Sequence, residues 1–424
     1  MAVKHFLSAF WRLTIAAALA ASFVAAASAA EPKSLFSFKA DGKGEHPWSS
    51  PVLGPDGALY GTTYLGGADG VGTVYRLTRK PGGEWARKVL HQFSGGDGSG
   101  PIGGVTLAPS GKLYGTTESG GGGACSGGCG VVYELAPRAN GTYAFKVIDS
   151  FDAVAGGVRS QSRLLMEEEG ILYGTTTAGG SSDMGTVFRI ARQRGGGWLR
   201  TIVHSFSGGA SDGKYPFGGV VFGPDGALYG TTQAGGRQFG DRGTVYRLAL
   251  GQGGASEFDV LHAFGGGADG EQPLAPVVFD EDGALYGVTA SGGGGSCFGG
   301  CGTAFRVAMD EGGIWRKATI HSFSGGADGS APRGGMTVDA DGAVWGMTPG
   351  GGGTPASGIV YRLTRPKNGG VPWRERIVHS FANSGGAGGV PFGDLVLDDA
   401  NDLFYGATRD GGAFSNGTVF RLKK

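Results

Sequence analysis

One motif recurs seven times along this chain, and a fixed period constrains a fold more than any composition can. It reads Leu-Tyr-Gly-Thr-Thr, a glycine-rich loop, Gly-Thr-Val-Tyr-Arg-Leu, and then His-Ser-Phe. The Tyr-Gly step (once Trp-Gly) falls at Tyr60, Tyr114, Tyr173, Tyr229, Tyr286, Trp345 and Tyr405, with successive copies 54 to 60 residues apart. Such repetition specifies a scaffold strongly and an activity weakly.

The copy at residues 216–264 shows the internal plan. A short apolar strand is expected at 216–222, then a tight Pro-Asp-Gly turn at 224–226, in which Pro224 presets φ and Gly226 takes φ > 0. A second strand follows at 227–232, a glycine-rich loop at 234–242, a third strand at 243–248 and a fourth at 258–264. Elsewhere a large aromatic opens the fourth strand: Trp85, Tyr143, Trp198, Trp315 and Trp373. Glycine and proline together exceed a quarter of the 424 residues, which without a period would suggest disorder. With the period, the alternating Val, Leu, Phe and Tyr read as strands joined by turns. No run carries the 3.6-residue apolar period of a helix.

Four antiparallel strands per unit match a propeller blade, so an all-β, seven-bladed β-propeller is expected, with residues 31–424 as one domain. The ends support closure of the ring. The last copy stops at its third strand, and Leu35-Phe36-Ser37-Phe38 is a fourth strand with no blade before it. The N-terminal strand should complete blade 7. An open β-solenoid would not place one complementary strand at each end.

Residues 1–30 follow the plan of a secretory signal peptide: Lys4, His5 and Arg12, an alanine-rich apolar run, and small residues before Glu31. Secretion or periplasmic export is expected, with no membrane span in the mature chain and a monomeric state. Cys125 and Cys129 share a spacing with Cys297 and Cys301 in a second copy, as expected of disulfides in an oxidising compartment. Zinc is the alternative, and would need four ligands in one place. The 36 basic and 36 acidic side chains cancel, which argues against nucleic acid.

The recurring polar residues read as construction. His91, His204, His262, His321 and His379 each stand two residues before a fourth-strand Phe, with Asp149 and Phe36 in the other copies. On the rim of a seven-fold ring, equivalent positions lie too far apart to share one ion. No metal site is expected from them. Asp56, Asp225, Asp282 and Asp341 fall in first-turn positions; Asp41, Asp97, Asp212, Asp269 and Asp328 precede Gly in the loops entering each blade. Asp-Gly is foremost a turn former, with calcium as the alternative. No other cofactor is expected.

Function should then sit where the copies differ, on the loops at one face. After the entry-loop proline come Trp48, Ile102, Phe217, Leu274, Arg333 and Phe392, with Gln161 in the copy lacking proline. Two positions on, Arg163 and Asp394 are the only charges in a position otherwise small. Glu118 and Arg409 follow the Tyr-Gly-Thr-Thr strands of their copies. Trp48, Glu118, Arg163, Phe217, Arg333, Phe392, Asp394 and Arg409 are therefore the candidate ligand-binding residues. Aromatics beside charges suit a glycan, and a protein partner fits the same face. No nucleophile, base and orienter set appears. A non-catalytic binding scaffold is expected; a polysaccharide hydrolase or lyase using carboxylates at the channel mouth and a purely structural surface protein are the alternatives.

The pattern Leu-Tyr-Gly-Thr-Thr-x-x-Gly-Gly with Gly-Thr-Val-Tyr/Phe-Arg-Leu resembles the Gloeo/Verruco tandem repeat. The likeness runs over Tyr60–Leu77, Tyr114–Leu135, Tyr173–Ile190, Tyr229–Leu248, Tyr286–Val307, Trp345–Leu363 and Tyr405–Leu422. It implies an exported bacterial repeat protein, and it carries no catalytic residues to transfer. Relatives bear varied C-terminal anchors; here the chain ends Arg421-Leu422-Lys423-Lys424, and a freely exported form is expected.

Overall fold

The computed structural model describes residues 31–153, 156–237, 240–251, 256–353, 357–367, 369–382 and 385–424. The expected signal peptide lies outside them. Seven four-stranded antiparallel sheets form a seven-bladed propeller. Blade 1 comprises Val52–Leu53, Leu59–Thr63, Thr73–Arg79 and Trp85–Gln92, paired in that order. Blade 7 comprises Val396–Asp398, Leu403–Thr408 and Thr418–Lys423, and its fourth strand is Lys33–Ser37. The closing ladder pairs Lys33 with Arg421, Ser34 with Phe420, Phe36 with Val419 and Ser37 with Thr418. Among the described residues the only helical segments are three 3-10 turns, at Gly267–Asp269, Gly326–Asp328 and Asp399–Asn401.

The Tyr-Gly step exists because of the strand beside it. Gly61, Gly115, Gly174, Gly230, Gly287, Gly346 and Gly406 pair directly with Tyr75, Tyr133, Phe188, Tyr246, Phe305, Tyr361 and Phe420. Each third-strand ring lies across the bare glycine. A Cβ on Gly230 would stand 2.5 Å from Tyr246 Oη, and one on Gly174 2.5 Å from Phe188 Cζ. Phe replaces Tyr in three blades, so the ring and not its hydroxyl is what the architecture requires. The second Thr of the motif bonds the Thr that starts the third strand, as in Thr63–Thr73 at 2.8 Å and Thr232–Thr244 at 2.7 Å.

The core is a circle of apolar seams, one between each pair of neighbouring blades. The closing seam joins Phe38, Tyr405 and Val419 of blade 7 to Leu59, Tyr75 and Leu77 of blade 1. The aromatics opening the fourth strands reach back to the preceding blade: Trp198 meets Tyr114, Trp315 meets Tyr229 and Trp373 meets Tyr286.

The rim histidines and the entry-loop aspartates are partners of one another. His91 Nε2 donates to Asp97 at 2.9 Å, His204 to Asp212 at 3.1 Å, His262 to Asp269 at 3.0 Å and His321 to Asp328 at 3.1 Å. A residue of the next blade's fourth strand then covers the pair. Phe145 stacks on His91 with centroids 3.6 Å apart, and Phe258 stacks on His204 at 4.3 Å. Lys317 instead bonds Asp269 at 2.8 Å, Arg87 bonds Asp41 at 2.8 Å, and Arg200 forms an ion pair with Asp149 at 2.8 Å.

One expectation needs correction. The first strand of the 216–264 copy is only Val221–Phe222. Its entry segment runs instead against the next blade, where a Cβ on Gly218 would lie 2.6 Å from the Ala275 backbone. Asp282 and Asp341 lie in the first turns of blades 5 and 6 as expected, and the residue opening each turn is a second carboxylate that holds the repeat's aromatic: Tyr286 donates to Asp280 at 2.8 Å and Trp345 Nε1 to Asp339 at 2.8 Å. The cysteines form the expected disulfides, Cys125–Cys129 and Cys297–Cys301, and none is free.

Candidate functional site

The mouth of the central channel is built by a backbone device that repeats in every blade. The residue preceding each entry-loop proline, or Ser160 in blade 3, lies in the left-handed region: His46, Gly100, Arg159, Tyr215, Gln272, Ala331 and Val390 have φ between 52° and 67°. Six of the seven are not glycine, and five of those six precede proline, which disfavours helical backbone. Hydrogen bonds on both sides hold the strained turn. Tyr215 N–H donates to Met184 of blade 3 at 2.8 Å, and its carbonyl accepts from Gln233 of its own blade at 3.0 Å. The same pair of bonds occurs at His46, Gly100, Arg159, Gln272 and Val390. At Ala331 the second bond is lost because Pro349 stands where the donor would be.

The proline then docks on the preceding blade's glycine. A Cβ on Gly72 would lie 2.6 Å from Pro101, one on Gly185 2.6 Å from Pro216 and one on Gly243 2.6 Å from Pro273. The next side chain is thereby thrown into the channel mouth. All seven of these (Trp48, Ile102, Gln161, Phe217, Leu274, Arg333 and Phe392) line one open cavity of about 550 Å³. Arg163, Asp394, Gln233 and Gln272 line it too.

Arg163 and Asp394, the two charges that break a small-residue position, meet across the channel. Arg163 leaves blade 3 and passes over Gly104 of blade 2, where a Cβ would lie 3.6 Å from its guanidinium. It donates to the Ser50 carbonyl of blade 1 at 2.7 Å and stands 3.9 Å from the Asp394 carboxylate of blade 7. Ser50 Oγ donates to the Asp394 carbonyl, which fixes the two loops together. The guanidinium therefore forms a charged floor beneath the cavity.

Trp48 and Phe392 form a stacked pair and do not stand as separate rings on the rim. They stack on one another with centroids 4.9 Å apart and planes 8° from parallel, and Tyr64 flanks Trp48 at 5.3 Å. Arg409 lies over Phe392 at 5.1 Å and Trp48 at 5.7 Å, steadied by Asp410 at 3.0 Å. Arg409 thus supports the wall and does not line the cavity. Glu118 also stays out of the lining and accepts from Gln161 Nε2 at 2.7 Å. Phe217, across the ring in blade 4, has no aromatic neighbour among the described residues, and Arg333 is exposed. Gln272 is a lining residue that sequence reasoning missed; its only signal was its place before Pro273.

The chain matches the Gloeobacter/Verrucomicrobia repeat over residues 22–209 and 164–420, and it belongs to that family. No curated protein matches it. Among solved structures it is similar to the polysaccharide lyase Uly1, at 12% identity over 92% of this chain and 91% of that one, with a TM-score of 0.49. It is similar to a putative oxidoreductase (glucose dehydrogenase) of Thermus thermophilus, at 15% identity over 91% and 98%, with a TM-score of 0.41. It is also similar to Trypanosoma rangeli sialidase, at 12% identity over 82% of this chain and 57% of that one, with a TM-score of 0.43.

Proposed function

We propose that this protein is an exported, non-catalytic binding propeller whose channel mouth takes a carbohydrate. The observation that carries the reading is convergence: the seven side chains after the entry-loop turns, which differ from blade to blade, all face one cavity. Its size, about 550 Å³, falls in the range that small ligands fill. An open Phe217 face, the amides of Gln161, Gln233 and Gln272, and the guanidinium groups of Arg163 and Arg333 together suit the flat apolar faces and hydroxyl edges of a sugar. Arg163 and Arg333 favour a sugar bearing a carboxylate or sulfate.

Hydrolysis or elimination by paired carboxylates is the weaker reading. Asp394 is the one carboxylate among the lining residues, and it faces Arg163. A glycosidase pair requires two carboxyl groups facing the scissile bond. Export fits the two disulfides and the 1–30 leader, which we read as a cleaved signal peptide ahead of a single domain at 31–424. Among the described residues no helix is long and apolar enough to cross a membrane.

A glycan array with Phe217→Ala and Arg333→Ala tests the proposal. Among the described residues neither side chain has a hydrogen-bond, ion-pair or aromatic partner, so fold and binding are separable. Both variants should keep the wild-type melting temperature and weaken binding at least about tenfold. Binding that survives both substitutions unchanged, or turnover of a bound polysaccharide, overturns the reading.

A further inference from the structure

The seam between blades 5 and 6 keeps the histidine–aspartate pair but changes what covers it. Between blades 5 and 6 the residue covering the His321–Asp328 pair is Glu375, where Arg87, Arg200 and Lys317 supply a cation and Phe145 and Phe258 a ring. A second carboxylate therefore replaces the balancing charge. His321 Nε2 is 3.1 Å from Asp328 Oδ1 and 3.7 Å from Glu375 Oε1, and one ligand atom from each of the three residues falls within 4.8 Å of the others.

Three details argue that this arrangement is built to hold an ion. First, Glu375 Oε1 is shut off from solvent and has no hydrogen-bond partner among the described residues. Second, the other oxygen of Asp328 is already held by Ser324 N–H at 2.6 Å and Ser324 Oγ at 2.7 Å, which aims Oδ1 at the centre of the cluster. Third, the separations fit one ion. Ligand bonds of about 2.0–2.1 Å in tetrahedral geometry put neighbouring donors roughly 3.4 Å apart. The side chains remain 14%, 21% and 16% exposed, so water can reach a fourth position.

We propose that His321, Asp328 and Glu375 bind a divalent transition-metal ion of the zinc class, which clamps blade 5 to blade 6. The imidazole nitrogen with two carboxylate oxygens selects such an ion over calcium or magnesium, which take oxygen donors. The clamp does what Lys317 does one seam earlier, with an ion in place of the ammonium. It lies on the outer strands, away from the channel mouth, and is independent of any ligand bound there.

The test uses untagged, chelator-stripped full-length protein titrated with zinc(II) alone by calorimetry, beside Glu375→Lys. That variant restores the cation found at the preceding seam, so it should fold with a melting temperature at or above that of the stripped wild type. Wild type should bind one equivalent and melt higher when loaded. Loss of an outer-shell partner already costs about 10–100-fold in affinity, so loss of a direct ligand in Glu375→Lys should cost more than about 100-fold. Cobalt(II) should give visible absorption in wild type that the variant lacks. A wild type that takes up no stoichiometric zinc, or a Glu375→Lys variant that binds as tightly as wild type, overturns the site. So does a melting temperature that follows pH alone and ignores the metal.

Discussion

Ring closure makes the sharpest demand on stability. Phe38 is fully buried 3 residues past the start of the matching strand motif, and its ring packs edge-on against Tyr75 of blade 1 with centroids 5.2 Å apart. Its N–H donates to Gly417 of blade 7 at 3.0 Å. The side chain thus ties the N-terminal strand both to the last blade and to the first. Phe93 is its counterpart inside blade 1, also fully buried and 5.2 Å from Tyr133 of blade 2. Truncating a buried Phe to Ala costs about 3–5 kcal/mol. With a melting entropy of about 2.1 cal/mol/K per residue, a 424-residue chain loses about 1.1 °C for each kcal/mol. Phe38→Ala and Phe93→Ala should therefore both lower the melting temperature by about 3–6 °C, in one cooperative transition by calorimetry. If Phe93→Ala does so and Phe38→Ala leaves the transition within about 1 °C of wild type, the N-terminal strand does not close the ring.

Two further expectations concern the repeated residues. Gly230→Ala should cost about 1–3 kcal/mol by overpacking Tyr246, and combining it with Tyr246→Leu should recover part of the loss in a double-mutant cycle by urea denaturation; strictly additive losses would refute the ring-over-glycine account. At the blade 4–5 seam, burial pushes Asp269 up, but the His262 and Lys317 hydrogen bonds overcome it and hold the carboxyl below its ordinary range. A depressed folded value means stability that is full above the unfolded pKa of about 3.9 and is lost as pH falls through the folded value. The penalty of Lys317→Gln should accordingly be largest at neutral pH and shrink below about pH 4; a penalty constant from pH 7 to 3 would refute the pairing.

The period revealed which residues recur, and with it the seven blades, the closing strand and the two disulfides. It did not reveal which recurring residues touch. His262 and Asp269 looked like separate features, a rim residue and a turn former, because a hydrogen bond across seven positions of turn leaves no pattern of its own. Lys317 bonds Asp269 from 48 positions away, nearly one full repeat. At that distance a contact within a blade and one between blades look alike in a periodic sequence. The left-handed turns were hidden for another reason: residues as unlike as Ala331, Gln272 and Val390 occupy them, since backbone hydrogen bonds and not side-chain preference hold the conformation. The candidate site was legible as a set of positions, and its division into cavity lining and supporting wall was not. Trp48 and Arg409 look alike in sequence as departures from the repeat, yet one faces the cavity while the other lies over it from behind.

That division bears on how such a scaffold acquires specificity. A ring of near-identical blades presents the same backbone seven times and cannot by itself orient an asymmetric ligand. Orientation must come from side chains that the scaffold leaves unused. The motif's Gly, Thr, Tyr, His and Asp are spent on cross-strand and cross-blade contacts, so they are fixed by packing. The position after the proline is not: its backbone is clamped on both sides while its side chain projects into open space, and Trp, Ile, Gln, Phe, Leu, Arg and Phe occupy it in turn. The left-handed turn before the proline aims that side chain inward, and the hydrogen bonds that hold the turn keep the loop from relaxing when the side chain changes. Arg163 extends the principle by one step. It crosses to the Ser50 carbonyl of blade 1 and the Asp394 carboxylate of blade 7, so a substitution in one blade takes effect on two others.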